Sequence, residues 1–197
     1  MSPRLASTKR ALDICIAAAG LALLWPIILI AILLARHDTN ATGLFHQKRV
    51  GKGGAFFTVH KIRTMREMDG TTITTAHDKR ITPLGQKLRQ WKIDELPQLW
   101  NVLKGEMSMV GPRPDVPGYA NQLEGEDRVI LRLRPGITGP GSLKYRDEEV
   151  ILAKQADPQH YNDTVIWPDK VAINRDYYEN YRLCDDFRYL WQTIFRK

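Results

Sequence analysis

Residues 14–35 read ICIAAAGLALLWPIILIAILLA, twenty-two positions without a charge, bounded by Lys9 and Arg10 before and by Arg36 after. As a helix this run would measure about 33 Å, enough to cross the ~30 Å hydrocarbon core of a bilayer. It is long for the apolar core of a secretory signal, and no A-x-A-like site follows it, which disfavours a cleaved leader. Pro26 falls near the midpoint, where it removes a helical N–H and crowds the preceding turn, so Trp25 and Pro26 are the expected helix break. Both flanks are basic, with Arg4, Lys9 and Arg10 on one side and Arg36, Lys48, Arg49 and Lys52 on the other. Positive charge favours the cytoplasmic side for both. Two arrangements fit: a mildly kinked spanning helix, and a re-entrant one that enters, bends at Trp25-Pro26 and returns. Asp13, costly in lipid, is expected to pair with Arg10 or to lie at the interface.

Outside this segment the chain has room for one compact domain, giving residues 1–38 as the membrane segment and residues 39–197 as the remainder. Lys and Arg number 29 against 22 Asp and Glu, a net charge of +7 that suits an anionic partner without choosing among phosphate, nucleic acid and acidic lipid. The two cysteines, Cys15 and Cys184, are far apart, so neither a disulfide framework nor a zinc site is indicated, which fits a reducing compartment. The histidines 37, 46, 60, 77 and 160 are dispersed. No Walker loop, dinucleotide glycine fingerprint, zinc-binding helix motif or Gly-x-Ser-x-Gly elbow is present.

Residues 45–50 and 55–62 flank Gly51-Lys52-Gly53-Gly54 and read as a β-hairpin. Thr82-Pro83 reads as an N-cap followed by proline at the first helical position, opening a helix to about residue 91. Pro97 opens another, closed by Gly105. A helix bearing Arg128 and Arg132 is expected between the turns Gly111-Pro112-Arg113-Pro114 and Arg134-Pro135-Gly136. Further helices are expected near 147–156, 169–182 and 186–195. The last carries Phe187, Leu190, Trp191, Ile194 and Phe195 beside Arg188, Arg196 and Lys197, a pattern shared by interfacial helices and by ordinary core-packed ones.

The chemistry centres on Lys92-Ile93-Asp94-Glu95-Leu96-Pro97-Gln98. Two adjacent carboxylates fall at or just before a helix N-terminus, where free N–H groups favour negative charge and also phosphate. A simple capping role fits these two residues as well as a catalytic one. Around them lie Lys61 and Arg63 at the end of the hairpin, Arg80, Arg89, and Arg113. The prolines on either side of Arg113 restrict its backbone and pre-orient its planar fork for phosphate oxygens.

The order of Lys9-Arg10-x-x-Asp13, the apolar segment, Gln47-x-Arg49-x-Gly51, Lys61-x-Arg63-Thr64-Met65, Asp94-Glu95-Leu96-Pro97-Gln98, Asn101-Val102-Leu103-Lys104-Gly105, Met107-Ser108, Val110-Gly111-Pro112-Arg113-Pro114 and Arg134-Pro135-Gly136-Ile137-Thr138-Gly139 resembles the monotopic phosphoglycosyl transferases of the bacterial sugar transferase family. The resemblance covers residues 9–140. It implies a mainly α fold with a small β-hairpin, that is, an α+β domain with interfacial helices. That domain would be anchored by a re-entrant helix on the cytoplasmic face of the bacterial inner membrane. The family commonly has Ser before the breaking Pro, where this chain has Trp25. Without the extra spanning helices and added domain of longer members, the chain resembles the minimal catalytic form.

The implied reaction moves a sugar-1-phosphate from a UDP-sugar to polyprenyl (undecaprenyl) phosphate. Asp94 is the nucleophile, a covalent aspartyl-phosphosugar is the intermediate, and UMP leaves. Mg2+ is the implied cofactor, bound by Asp94 and diphosphate oxygens. Glu95 is the partner acid or base, or a metal-positioning group, and Lys61, Arg63, Arg80, Arg89, Arg113 and Arg146 are the phosphate-binding set. The partners implied are the UDP-sugar, the polyprenyl phosphate and membrane lipid, with no nucleic acid and with room for a homodimer. The rival readings are a membrane-tethered basic protein that binds anionic lipid or nucleic acid without catalysis, and a transferase with direct one-step displacement.

Overall fold

The computed structural model describes residues 3–66 and 78–195; His77, Arg196 and Lys197 lie outside the described residues. The chain opens with α1 (Pro3–Thr39), which contains Pro26. Helical pairing continues through Trp25-Pro26, so this pair does not divide α1 into two elements, although a proline here still forfeits one hydrogen bond. The helix is long and apolar enough to cross a membrane, yet both halves rest on the same body. Lys9, Asp13 and Ala17 are buried on the first half, and Ile28, Ala31, Ala35 and Thr39 on the second. These positions recur every three or four residues and form one stripe. Its small side chains allow close approach: a Cβ at Gly20 would stand 3.1 Å from Leu99. The opposite face leaves Leu23, Trp25, Ile27, Leu29, Ile30, Leu33 and Leu34 exposed.

The motif at the start of α1 proves to be structural. Arg10 donates from Nη1 to the carbonyl of Val102 at 2.7 Å and from Nη2 to that of Leu103 at 3.1 Å. Asp13 does not pair with Arg10 as expected: its Oδ1 accepts from the Met109 N–H at 3.0 Å and lies 3.9 Å from Lys9. Lys9 donates to Asp186 at 2.6 Å.

After Asn40, in the left-handed region at φ 52, the chain doubles back on α1. Gly43 is obligatory there, since a Cβ would meet the Ile32 carbonyl oxygen at 2.0 Å. The expected hairpin follows as β1 (Leu44–Val50) and β2 (Phe56–Ile62), antiparallel with Leu44 opposite Ile62 and Val50 opposite Phe56. Gly53 and Gly54 make its turn at positive φ. Next comes α2 (Pro83–Gln90), whose Thr82 cap accepts from the Gly85 N–H at 2.9 Å. A 3-10 turn (Ile93–Glu95) leads into α3 (Gln98–Lys104), stopped by Gly105 at φ 88. Fully buried Asn101 ties α3 to β2, donating to the Thr58 carbonyl at 2.7 Å and accepting from the His60 N–H at 3.2 Å. Ala17, Val59, Leu99, Val102 and Met107 form the core where α1, β2 and α3 meet.

The two Pro-rich turns belong to one device. Strands β3 (Ser108–Val110) and β4 (Gly136–Thr138) pair in parallel and bring the turns side by side. A Cβ at Gly136 would lie 2.1 Å from the Gly111 nitrogen, and one at Gly139 would lie 2.2 Å from the Gly111 oxygen. The helix expected between them forms over Gly125–Arg132 as a 3-10 helix and buries Ile130 and Leu131. The remaining helices are α4 (Pro140–Lys144), α5 (Glu148–Ala153), α6 (Pro158–Tyr161), α7 (Trp167–Glu179) and α8 (Leu183–Phe195). A π-helical turn, Asn162–Ile166, joins α6 to α7. Asp186 accepts from Tyr177 at 2.6 Å and Tyr181 at 2.9 Å as well as from Lys9, fixing α8 to both α1 and α7. Phe187, Trp191, Ile194 and Phe195 face outward from α8.

Candidate active site

Asp94 and Glu95 lie in the 3-10 turn before α3, and each is only 7 % exposed. Lys92 starts that turn in the left-handed region at φ 57, an unfavourable conformation for a residue with a Cβ. Neither carboxylate caps α3, so the simple capping role falls away. Glu95 Oε1 accepts from Lys61 Nζ at 3.2 Å and from Arg113 Nη2 at 2.8 Å. Asp94 Oδ1 is buried without a hydrogen-bond partner among the described residues. A buried acceptor left open in this way costs free energy unless something else engages it.

The charges on the two carboxyls diverge. Burial, and then the neighbouring Glu95, raise Asp94 above the usual aspartate range against the opposing pull of Lys61, Arg89 and Lys92. Burial would also raise Glu95, but the charges of Arg113, Lys61 and Lys92 and the Arg113 hydrogen bond outweigh it and hold Glu95 well below its usual range. Arg113 is in turn raised, chiefly by Glu95. Glu95 is therefore a fixed anion that organises two cations, while Asp94 is a poorly solvated carboxyl with one oxygen left unpaired among the described residues.

Of the six expected phosphate-binding residues, Lys61 and Arg113 meet at Glu95, and the charge of Arg89 reaches Asp94. Arg89 also pairs with Glu149. The other three make contacts elsewhere. Arg63 donates to the Thr42 carbonyl at 2.8 Å and lies over the Phe45 ring. Arg80 pairs with Asp78 at 2.6 Å. Arg146 donates to the carbonyls of Gln192 at 2.9 Å and Thr193 at 3.3 Å near the end of α8.

Several residues around the site carry no catalytic or phosphate-binding role in the sequence reading. Arg49, projecting from β1, donates to the Pro114 carbonyl at 3.1 Å and so braces the turn that holds Arg113. Burial and the nearby Arg113 lower it to about 10. Glu148 acts by its charge on both Arg113 and Asp115, and Lys170 acts on Asp115. Asp115 was readable from its place one residue past Pro114. Nothing local announces Glu148 or Lys170, which arrive on α5 and α7.

Among the described residues no group of three or more His, Cys, Asp or Glu side chains is placed to hold a metal ion. Mg2+ needs no such cage, because it commonly binds one or two carboxylates together with substrate phosphates and water. The open Oδ1 of Asp94 fits that mode of binding, whereas Glu95 is already committed to Lys61 and Arg113.

The chain belongs to the bacterial sugar transferase family, whose profile matches residues 4–197. It is 36% identical over 195 residues to the UDP-glucose:undecaprenyl-phosphate glucose-1-phosphate transferase of Caulobacter vibrioides, covering 94% of this chain and 68% of that one. It is 33% identical over 201 residues to the UDP-N-acetylgalactosamine-undecaprenyl-phosphate N-acetylgalactosaminephosphotransferase of Aeromonas hydrophila, covering 98% of this chain and 44% of that one. The exopolysaccharide production protein ExoY of Sinorhizobium fredii is 30% identical over 205 residues, with 95% of this chain and 84% of that protein covered. The chain thus spans less than half of the Aeromonas relative and most of the Sinorhizobium one.

Proposed function

We propose that this protein is a phosphoglycosyl transferase that moves a sugar-1-phosphate from a UDP-sugar to undecaprenyl phosphate. The observation that carries the reading is the buried, unpartnered Asp94 Oδ1 within reach of the charges of Lys61, Arg89 and Lys92. An Asp94 oxygen attacks the sugar-bearing phosphorus, the bond from that phosphorus to the bridging oxygen breaks, and UMP leaves with the bonding pair. An oxygen of the polyprenyl phosphate then attacks the same phosphorus and expels Asp94, giving the polyprenyl diphosphate sugar. Lys61, Arg89 and Arg113 stabilise the charge spread over the phosphoryl oxygens. Glu95 keeps Lys61 and Arg113 aligned. Asp94, together with the diphosphate oxygens, would hold Mg2+, which would supply further neutralisation of charge.

The acceptor is confined to lipid, which gives the apolar helix its purpose. Support for a re-entrant anchor on the cytoplasmic face of the inner membrane comes from α1, whose two basic-flanked halves rest on one body. A protein that merely holds anions has no use for two buried carboxylates among its cations.

The test uses purified protein in nanodiscs with UDP-sugar and Mg2+. Burst release of UMP and a mass increase equal to one phosphosugar on the intact chain are expected, and Asp94→Asn should lose both. Turnover without any covalent species would favour one-step displacement, and turnover by Asp94→Asn would remove Asp94 as nucleophile.

A further inference from the structure

The histidines are dispersed in the sequence, yet two of them meet on the hairpin. His46 of β1 stands directly opposite His60 of β2. The His60 N–H points away from β1, donating to Asn101 Oδ1 at 3.2 Å, so the two residues form a pair without mutual backbone hydrogen bonds, the kind in which facing side chains come closest. Their Nδ1 atoms lie 2.8 Å apart, with ring centres 4.9 Å apart and ring planes at 87°. Neither imidazole makes another side-chain hydrogen bond among the described residues. His46 is exposed and His60 half-buried, so both rings are open to solvent.

Two ring nitrogens this close hold one proton between them, which leaves at least one lone pair aimed into the gap. Burial, then the charges of His46 and Lys104, lower the proton affinity of His60 against the pull of Glu106, and this keeps the pair uncharged at neutral pH. A metal ion can replace the shared proton. At Zn–N lengths of about 2.0–2.1 Å, two nitrogens on one tetrahedral ion stand about 3.3 Å apart, so the rings need to part by only about half an ångström. Imidazole nitrogens suit Zn2+ and its first-row neighbours, whereas Mg2+ prefers oxygen. Successive side chains of a strand point to opposite faces, so the pair lies across the hairpin from Lys61.

We propose that His46 and His60 chelate a divalent transition-metal ion of the Zn2+ type through their Nδ1 atoms, with water completing its coordination. The bound ion clamps β1 to β2 on the face opposite Lys61. Two protein ligands make this an exchangeable site, unlike a closed structural one with four. It shares no residue with the carboxylates at Asp94 and Glu95, so its failure would leave the transferase reading untouched.

The test titrates Zn2+ into tag-free protein in nanodiscs by isothermal calorimetry, with Cys15 and Cys184 replaced by Ser so that no thiol competes. His46→Ala and His60→Ala are measured in the same background, and melting without metal shows whether each variant folds; either one serves alone. The expected result is one ion per chain, affinity lowered tenfold or more in each folded variant, and a Zn2+-dependent rise in melting temperature that the variants lose. Absence of Zn2+ binding overturns the inference, and so does a loss of less than tenfold in a folded variant.

Discussion

Asp94 is held in a state that works against the fold. A carboxyl whose affinity for protons rises on folding is harder to ionise in the folded chain than in the unfolded one, so at neutral pH its charge destabilises the protein. Asp94→Asn removes that charge at nearly constant shape. It should melt higher than the unsubstituted protein, by ~2–4 °C for each kcal/mol regained in a chain of this size, while catalysis is lost. A lower melting temperature in differential scanning calorimetry would show that the ionised carboxylate is not the strained group. Glu95 has the opposite sign. Its stabilising effect is present above the ordinary glutamate range and fades as acid protonates it. The pH profile of the UMP burst should therefore rise along a limb set by Asp94 and displaced above the usual aspartate range. Lys61→Met takes away a cation that favours the ionised form and should move that limb to still higher pH.

Individual elements were legible to differing degrees. The hairpin, the Thr82-capped helix and the stop at Gly105 follow from local rules, because turn glycines and caps act within a few residues. The parallel pairing of β3 with β4 was not legible: strands of three residues hold too little side-chain period to read, and their pairing depends on glycine backbones in contact. Gly136→Ala should accordingly cost more than about 3 kcal/mol and also weaken activity through displacement of Arg113, measurable by urea denaturation beside the UMP assay. The last helix gives a separate test. Lys9→Met leaves Asp186 buried with two tyrosines and no cation, a loss of ~3–5 kcal/mol for a broken buried pair. Chymotryptic cleavage near Tyr189 and Trp191 should speed up in that variant, and unaltered cleavage would mean that α8 is anchored by other contacts.

At the scale of the whole molecule, the sequence conveyed the existence of an apolar anchor and the presence of Asp94, Glu95, Lys61 and Arg113 near one another. Composition could not convey that Glu148, 35 residues downstream, returns close enough to act on Arg113 and pairs there with Lys170 of α7, since folding alone sets that meeting. For the anchor, single cysteines at exposed Ser7 and His37, in a chain with Cys15 and Cys184 replaced by Ser, report on the two ends of α1. A membrane-impermeant maleimide should label both from one side of sealed vesicles, whereas labelling from opposite sides would make α1 a crossing helix. The two-faced build of α1 also forecasts how the helix tolerates change in a saturation mutagenesis screen. At Ala17, Ala31 and Ala35 any gain in bulk should be deleterious while chemical character matters little. At Leu23, Ile30 and Leu33, size should be nearly free to vary while polarity is penalised. One continuous helix would then yield two interleaved fitness patterns, one written by crowding and the other by solvent.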